Sequence, residues 1–413
     1  MWANTAYMTY ASLVRKYPRE ILYGFLHFFF SGLGQTFLLG FFVASFTESL
    51  SITNQEFNGY YSGATLVSAL MLSYAGKYLD KVKVRYFSLV VAVLMIVFVL
   101  ITASMQYAWM LGIALFGLRF TGQGLMPLTG ATATARYFEE GRGKALSLVG
   151  FGISLSEFLL PLLATFLILQ VGWRNTWLFL AGGVVFIFIP LVLRLVPISS
   201  RFQLIQEEAS EEQPTTATGA TRGEVLRDPN FYLLAMVNLW VSFFVTGVFI
   251  NQDLLAGYYD WPIELVATGV SIFGLTRFVA NIFFGGLIDK YSAVRCFSYV
   301  LFPMVIACLL MVVNQSIPAM IIFFLLCGIS GSLSGLTVTA MWAEVYGTLH
   351  LGAIRSTVST FAVFSAALAP LIFGWAFKDE SMLTISWTVL AGLMLISTII
   401  SFWVVRKMRK KTS

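Results

Sequence analysis

Charge is what this 413-residue chain has least of: Asp, Glu, Lys and Arg together make up 11% of it, against roughly 25% in soluble domains. With 58% hydrophobic residues and a mean hydropathy of +0.82, it cannot be a soluble globular or disordered chain. It reads as a polytopic membrane protein. Cysteine is scarce as well. Cys296, Cys308 and Cys327 lie in or beside apolar runs without metal-ligand spacing, so neither a disulfide framework nor a metal centre is expected. There are two histidines, and no phosphate-binding Gly-Lys-Ser/Thr loop, zinc spacing or nucleophile elbow. Those absences speak against an enzyme and against an ATP-driven pump, and no cofactor is expected. The first residues, MWANTAYMTYASLVRKYPRE, lack the order of a signal peptide because their basic residues follow the apolar ones.

What is present is hydrocarbon-crossing length. Runs of roughly 20 apolar residues are needed for about 30 Å. They fall at 20–46, 58–79, 85–104, 107–135, 144–169, 175–196, 230–254, 263–288, 296–313, 318–344, 352–377 and 383–405. We refer to them as spans 1 to 12. Of the 26 Lys and Arg, 22 fall on the side shared by the N-terminus, the even-to-odd loops and the C-terminus. Arg174 and Lys378 lie on the other side, and Arg119 and Arg277 lie within spans. The positive-inside rule then places both termini in the cytoplasm. The net charge of +6 is a consequence of topology and calls for no nucleic acid. The basic tail RKMRKK suits a surface of anionic lipid.

The one long polar stretch, 198–229, carries Glu207, Glu208, Glu211 and Glu212 and then Pro, Thr, Ala and Gly. It reads as a cytoplasmic linker, briefly helical at GEVLRDP. The expected organisation is therefore an N-terminal six-helix bundle at 1–197, a linker at 198–229 and a C-terminal bundle with a short basic tail at 230–413. The two bundles repeat. At an offset of 209 residues Gly76 falls on Gly285, Asp80 on Asp289, Lys81 on Lys290, Gly122 on Gly331, Tyr137 on Tyr346, Gly143 on Gly352, Ser147 on Ser356 and Pro161 on Pro370. Two homologous all-α bundles with a substrate path between them are the physical reading.

The loop after span 2, GKYLDKVKVR from Gly76 to Arg85, resembles the loop signature of the major facilitator superfamily, and GGLIDKYSAVR from Gly285 repeats it. RFTGQG from Arg119 resembles that superfamily's fourth-helix pattern. Lys83 and Ser292 stand where the signature usually has glycine. The resemblance implies the twelve-helix major facilitator fold and alternating access. It also implies a cytoplasmic gate built from Gly76, Asp80, Arg85, Arg136, Arg142 and Asp289, with each Asp meeting a helix N-terminus or an arginine.

Ionisable groups within spans mark function by default. Arg277, Arg119 and Glu157 all lie near mid-span, each on a polar stripe: Arg277 with Asn281, Arg119 with Gln123, Ser154 with Glu157. Gln35 on span 1, and Asn238, Trp240 and Asn251 on span 7, are further candidates. Arg119 either pairs with Glu157 on the next span or meets substrate. Arg277 has no evident partner in its own half, so it binds a substrate carboxylate through its planar fork, bridges the halves to Glu157, or bonds free helix carbonyls. Glu157 and His27 are the candidates for carrying a proton, although a packed histidine is equally consistent with the Phe28, Phe29 and Phe30 that follow it.

Within the superfamily the chain resembles the branch of monocarboxylate transporters and oxalate:formate antiporters, in which an arginine on the eighth helix binds the substrate carboxylate; Arg277 occupies that place. Phe273 stands where those carriers usually have an aspartate, and span 1 lacks their lysine. The expectation is a proton-coupled secondary transporter of a small organic anion in the cytoplasmic (inner) membrane, complete as a monomer. Its substrate set would be Arg277, Asn281, Arg119, Gln123, Gln35, Asn251 and Trp240, with Glu157 and His27 for the proton. Two alternatives remain at this level: a proton-driven exporter of an amphipathic or larger solute such as a drug or siderophore, and a non-transporting sensor on the same fold.

Overall fold

A computed structural model describes residues 10–79, 82–138, 141–195, 219–347 and 349–412. Asp80 lies outside the described residues, as do the linker as far as residue 218 and the side chain of Asp289. The described residues are almost wholly helical. Eight stretches are long and apolar enough to cross a membrane, and a bent pair, Pro18–Gly34 with Thr36–Leu50, adds a ninth. Span 2 (Asn54–Leu79) and span 4 (Ala108–Leu118 continuing through Arg119–Leu125 to Met126–Tyr137) are helices of similar length with more polar residues. The 142–195 stretch is two spans: Gly172, at φ 78°, breaks it where Trp173 and Arg174 turn the chain. A left-handed residue is cheap only for glycine. The result is the twelve-span, all-α architecture expected.

Two helices depart from α geometry at matching places. Span 1 breaks into a 3-10 turn at Ser31–Gly34, after which Gln35 is extended at φ −88°, ψ 152°. Span 4 widens into a π-helix over Arg119–Leu125. The cause is a close crossing: a Cβ on Gly34 would sit 1.9 Å from the Leu118 carbonyl oxygen, and one on Gly122 2.5 Å from the Gly34 nitrogen. Both glycines are required by the approach of one backbone to the other.

The described residues of the chain group into two compact units. The first comprises Met1–Leu39, Val67–Ser156 and Phe166–Gln213; the second comprises Gly40–Leu66, Glu157–Thr165 and Pro214–Ser413. In the first, span 1 packs on span 4 and span 3 on span 4. In the second, span 8 packs on span 10, span 7 on span 11, and span 9 on spans 10 and 12. The second unit thus includes the ends of spans 1 and 2 farthest from the termini, and a short piece of span 5. Inside it, Asn58 donates to Asn251 (3.1 Å), and a Cβ on Gly40 would meet the Phe249 carbonyl oxygen at 2.0 Å.

Before span 7, Thr221 and Glu224 close a capping box on a short helix, Arg222–Arg227, which overlaps the GEVLRDP segment from Gly223 to Arg227. The Glu224 carboxylate accepts the Thr221 N–H and hydroxyl, and these bonds hold its pKa below the ordinary carboxylate value. Asp228 then caps span 7 through the Asn230 N–H and accepts the Tyr346 hydroxyl at 2.8 Å. Large apolar side chains such as Phe186, Phe283, Trp375 and Trp403 remain on the outer surface, as lipid requires.

Candidate functional site

Span 8 runs Ile263–Tyr291, and Arg277 stands at its centre, fourteen residues from either end. At 1.5 Å per residue that is about 21 Å from each end, the costliest depth for a charge. Glu157 is fifteen residues into the helix that begins at Arg142, a similar depth. The two form an ion pair, Arg277 Nη1 donating to Glu157 Oε1. The arginine side chain keeps 27% of its exposure and the glutamate 4%. The second glutamate oxygen, Oε2, is buried and has no hydrogen-bond partner among the described residues. Glu157 thus supplies the partner that Arg277 lacks within its own half, and Arg277 is the bridge between the repeats rather than an isolated cation.

Gly274, one turn before Arg277, makes this contact sterically possible. A Cβ there would lie 2.7 Å from Glu157 Cβ and 2.8 Å from both the Glu157 carbonyl carbon and the Phe158 nitrogen. Spans 5 and 8 therefore touch backbone to backbone beside the pair. Phe273, in the place where monocarboxylate carriers usually have an aspartate, is buried against Phe249 with ring centroids 5.1 Å apart. Its position is filled by packing.

Cytoplasmic of Arg277, Asn281 accepts a hydrogen bond from Ser332 of span 10 (2.8 Å), and Asn238 of span 7 accepts one from Ser334 (3.4 Å). Trp240, half-buried, donates its indole N–H to Ser397 at 2.8 Å. Asn251, by contrast, is buried at the far end of span 7, bonded to Asn58 and to the Gly247 carbonyl. It belongs to the packing of spans 1, 2, 7 and 11, where a Cβ on Gly374 would meet Asn58 Nδ2 at 2.2 Å.

Arg119, 1% exposed, turns into the first unit, where its Nη1 donates to the Gly34 carbonyl (3.3 Å) and to Thr36 Oγ1 (3.2 Å). It holds the carbonyl that the break in span 1 sets free, which is a reason for an arginine at this depth without a ligand. Gln35 and Gln123 flank the same crossing, both half-buried. His27 is 0% exposed. Its Nδ1 lies 2.8 Å from the Tyr23 carbonyl oxygen and its Nε2 3.0 Å from Ser88 Oγ, with Tyr23 Oη also on that hydroxyl and Phe188 against the ring. That is the environment of a packed histidine with both nitrogens engaged.

Of the expected gate, Arg136 reaches the Leu79 carbonyl at 3.5 Å, Arg85 is exposed, and Arg142 opens a helix after left-handed Gly141. Gly76 lies within span 2; its partner Asp80 and the Asp289 side chain lie outside the described residues.

A neighbouring feature was not foreseen. Glu344, at the cytoplasmic end of span 10, accepts from Ser292 Oγ (2.6 Å), Ala293 N (2.9 Å) and Val294 N (3.2 Å), clamping the start of span 9. The sequence signal was there in a carboxylate at a helix end facing the loop motif, but the spacing of 50 to 52 residues hides the partner.

Two helix bundles, a mid-membrane ion pair and broken helices define a secondary transporter fold. The sequence profile of the Major Facilitator Superfamily matches residues 24–254 and 240–413, and the chain belongs to that family. No sequence among the curated proteins matches it. Among solved structures, it is similar to a bacterial homolog of the human lysosomal transporter Spinster in an inward-facing, unoccupied conformation. The TM-score is 0.71 and the identity 12%, over 95% of this chain and 97% of that one. It is also similar to the nucleoside transporter NupG, with TM-score 0.68 and 11% identity over 94% and 98%. At such identities the likeness is one of fold.

Proposed function

We propose that the chain carries a small organic anion together with a proton across the cytoplasmic membrane, by alternating access, as a monomer. The observation that carries this reading is the Arg277–Glu157 pair: a partly exposed arginine at mid-span held by a buried carboxylate with one oxygen unpartnered. A substrate carboxylate is the chemical equivalent of Glu157 for a guanidinium. As it takes the arginine, Glu157 takes the proton, and neither a bare arginine nor a bare carboxylate is left in the membrane. Substrate and proton therefore enter as a neutral sum. Asn281 and Trp240 complete the substrate side of the second unit. Arg119, Gln35 and Gln123 secure the helix crossing of the first, and Asp80, Arg85, Arg136, Arg142, Gly76 and Asp289 form the cytoplasmic gate.

Removing one member of a buried pair costs about 3–5 kcal/mol because the other is stranded, whereas removing both is close to neutral. Arg277→Gln alone should thus lower the melting temperature, and Arg277→Gln with Glu157→Gln should restore it. A refolded double variant that still fails to bind carboxylates places the arginine in the binding site. If it binds them as the wild type does, the pair is structural and the anion reading falls.

A further inference from the structure

Beyond the Glu157 carboxylate, the second unit presents unpartnered hydrogen-bond donors on the cytoplasmic side of Arg277. The Asn281 carboxamide oxygen is occupied by the Ser332 hydroxyl and the Asn238 oxygen by the Ser334 hydroxyl. What each asparagine has left is its NH2 group, which makes no hydrogen bond among the described residues, and both side chains are half-buried rather than sealed. Arg277 keeps N–H groups beyond the one given to Glu157. Between the two asparagines runs a face of span 10 without side chains. A Cβ on Gly331 would lie 3.6 Å from Arg277 Cδ, while Gly335, one turn on, is exposed and its Cβ would meet nothing within 4 Å. Span 10 thus carries a stripe without side chains, Gly331 and Gly335, flanked by the two serines that hold the asparagines and beginning beside the Arg277 side chain.

We infer that the anion carried here bears a second oxygen acceptor, a ketone or carboxylate, about 6 Å from its first carboxylate, the rise of four helical residues from Arg277 to Asn281. This inference rests on the anion reading of the site above. A plain alkyl acid fills the same length but leaves both NH2 groups desolvated without a partner, which is costly for donors in a closed site. A keto acid or dicarboxylate satisfies them. Asn281 and Asn238 then set specificity, while Arg277 sets the requirement for an acid.

The test is calorimetric titration of the purified full chain with pentanoate, 4-oxopentanoate, glutarate and pentanamide. The wild type should bind 4-oxopentanoate and glutarate about ten-fold more tightly than pentanoate, and should not bind pentanamide. Asn281→Leu and Asn238→Leu, with Asn281→Ala as a gentler variant should Leu fail to fold, should erase that preference and bring the affinities for pentanoate, 4-oxopentanoate and glutarate together. Arg277→Gln should remove all three acids. Equal wild-type affinity for pentanoate and 4-oxopentanoate, both lost in Arg277→Gln, overturns the second acceptor while the anion reading stands. Binding of pentanamide but of no acid overturns the anion reading and this inference with it.

Discussion

Ser292 shows how a single residue sets the geometry of the loop after span 8. It follows span 8 at φ 78°, ψ 139°, a region that favours glycine. The equivalent position of the first repeat, Lys83, sits at φ −58° and needs no glycine. This explains why a lysine is accepted in one loop and why the other is strained. Left-handed backbone at a side-chain-bearing residue costs on the order of 1–3 kcal/mol. The bond from Ser292 Oγ to Glu344 offsets part of that cost. Ser292→Ala loses the bond and keeps the strain, so it should lower stability by about 1 kcal/mol. Ser292→Gly loses the bond and the strain together and should stay near the wild type. Thermal unfolding of the two variants in detergent reads the difference; equal losses would show that the backbone there is unstrained.

Glycine also positions whole helices. Span 8 meets span 5 at Gly274 with no room for a methyl group, because the atoms in the way are the Glu157 Cβ and the backbone of Glu157 and Phe158. Gly335 on span 10 faces open space. Ordinary helix propensity favours Gly→Ala by about 1 kcal/mol at both sites. Steric conflict should reverse the sign only at the first, by about 1–3 kcal/mol. Gly274→Ala is therefore expected to lower the melting temperature and weaken carboxylate binding, and Gly335→Ala to keep the fold. Equal melting temperatures for the two would contradict the backbone contact that seats Arg277 against Glu157.

How much of this was legible in the sequence also differs by element. The twelve spans followed from hydrocarbon length, and the two-fold repeat from a single offset. Arg277 stood out because a charge at mid-span is expensive wherever it points. Its partner is one of three choices at the level of sequence, a substrate, Glu157 or free helix carbonyls, since Glu157 lies 120 residues away in the other repeat and nothing local encodes that contact. The same limit concealed the clamp from Glu344 to Ser292. His27 could be read as proton carrier or core until its partners, Tyr23 and Ser88, were in place, because the i+4 bond is local but the one across 61 residues is not. Gly274 did carry a signal, a glycine one turn before a mid-span arginine, but glycines are frequent in membrane helices and the reason for this one is a neighbour in space.

For the whole molecule, the proposed exchange of Glu157 for a substrate carboxylate fixes the energetics of transport. A substrate with a single carboxylate moves as a monoanion with one proton, so for it no net charge crosses the membrane. One pH unit is worth 1.36 kcal/mol and supports roughly ten-fold accumulation, whatever the membrane potential. The most direct measurement is accumulation of a labelled monocarboxylate in proteoliposomes under an inward proton gradient of about one pH unit, with the potential clamped at several values. The account predicts roughly ten-fold accumulation independent of potential; in Glu157→Gln exchange of internal for external acid should persist while proton-driven accumulation disappears. Accumulation that follows the potential, or that survives unchanged in Glu157→Gln, would contradict the coupling of anion and proton at the Arg277–Glu157 pair.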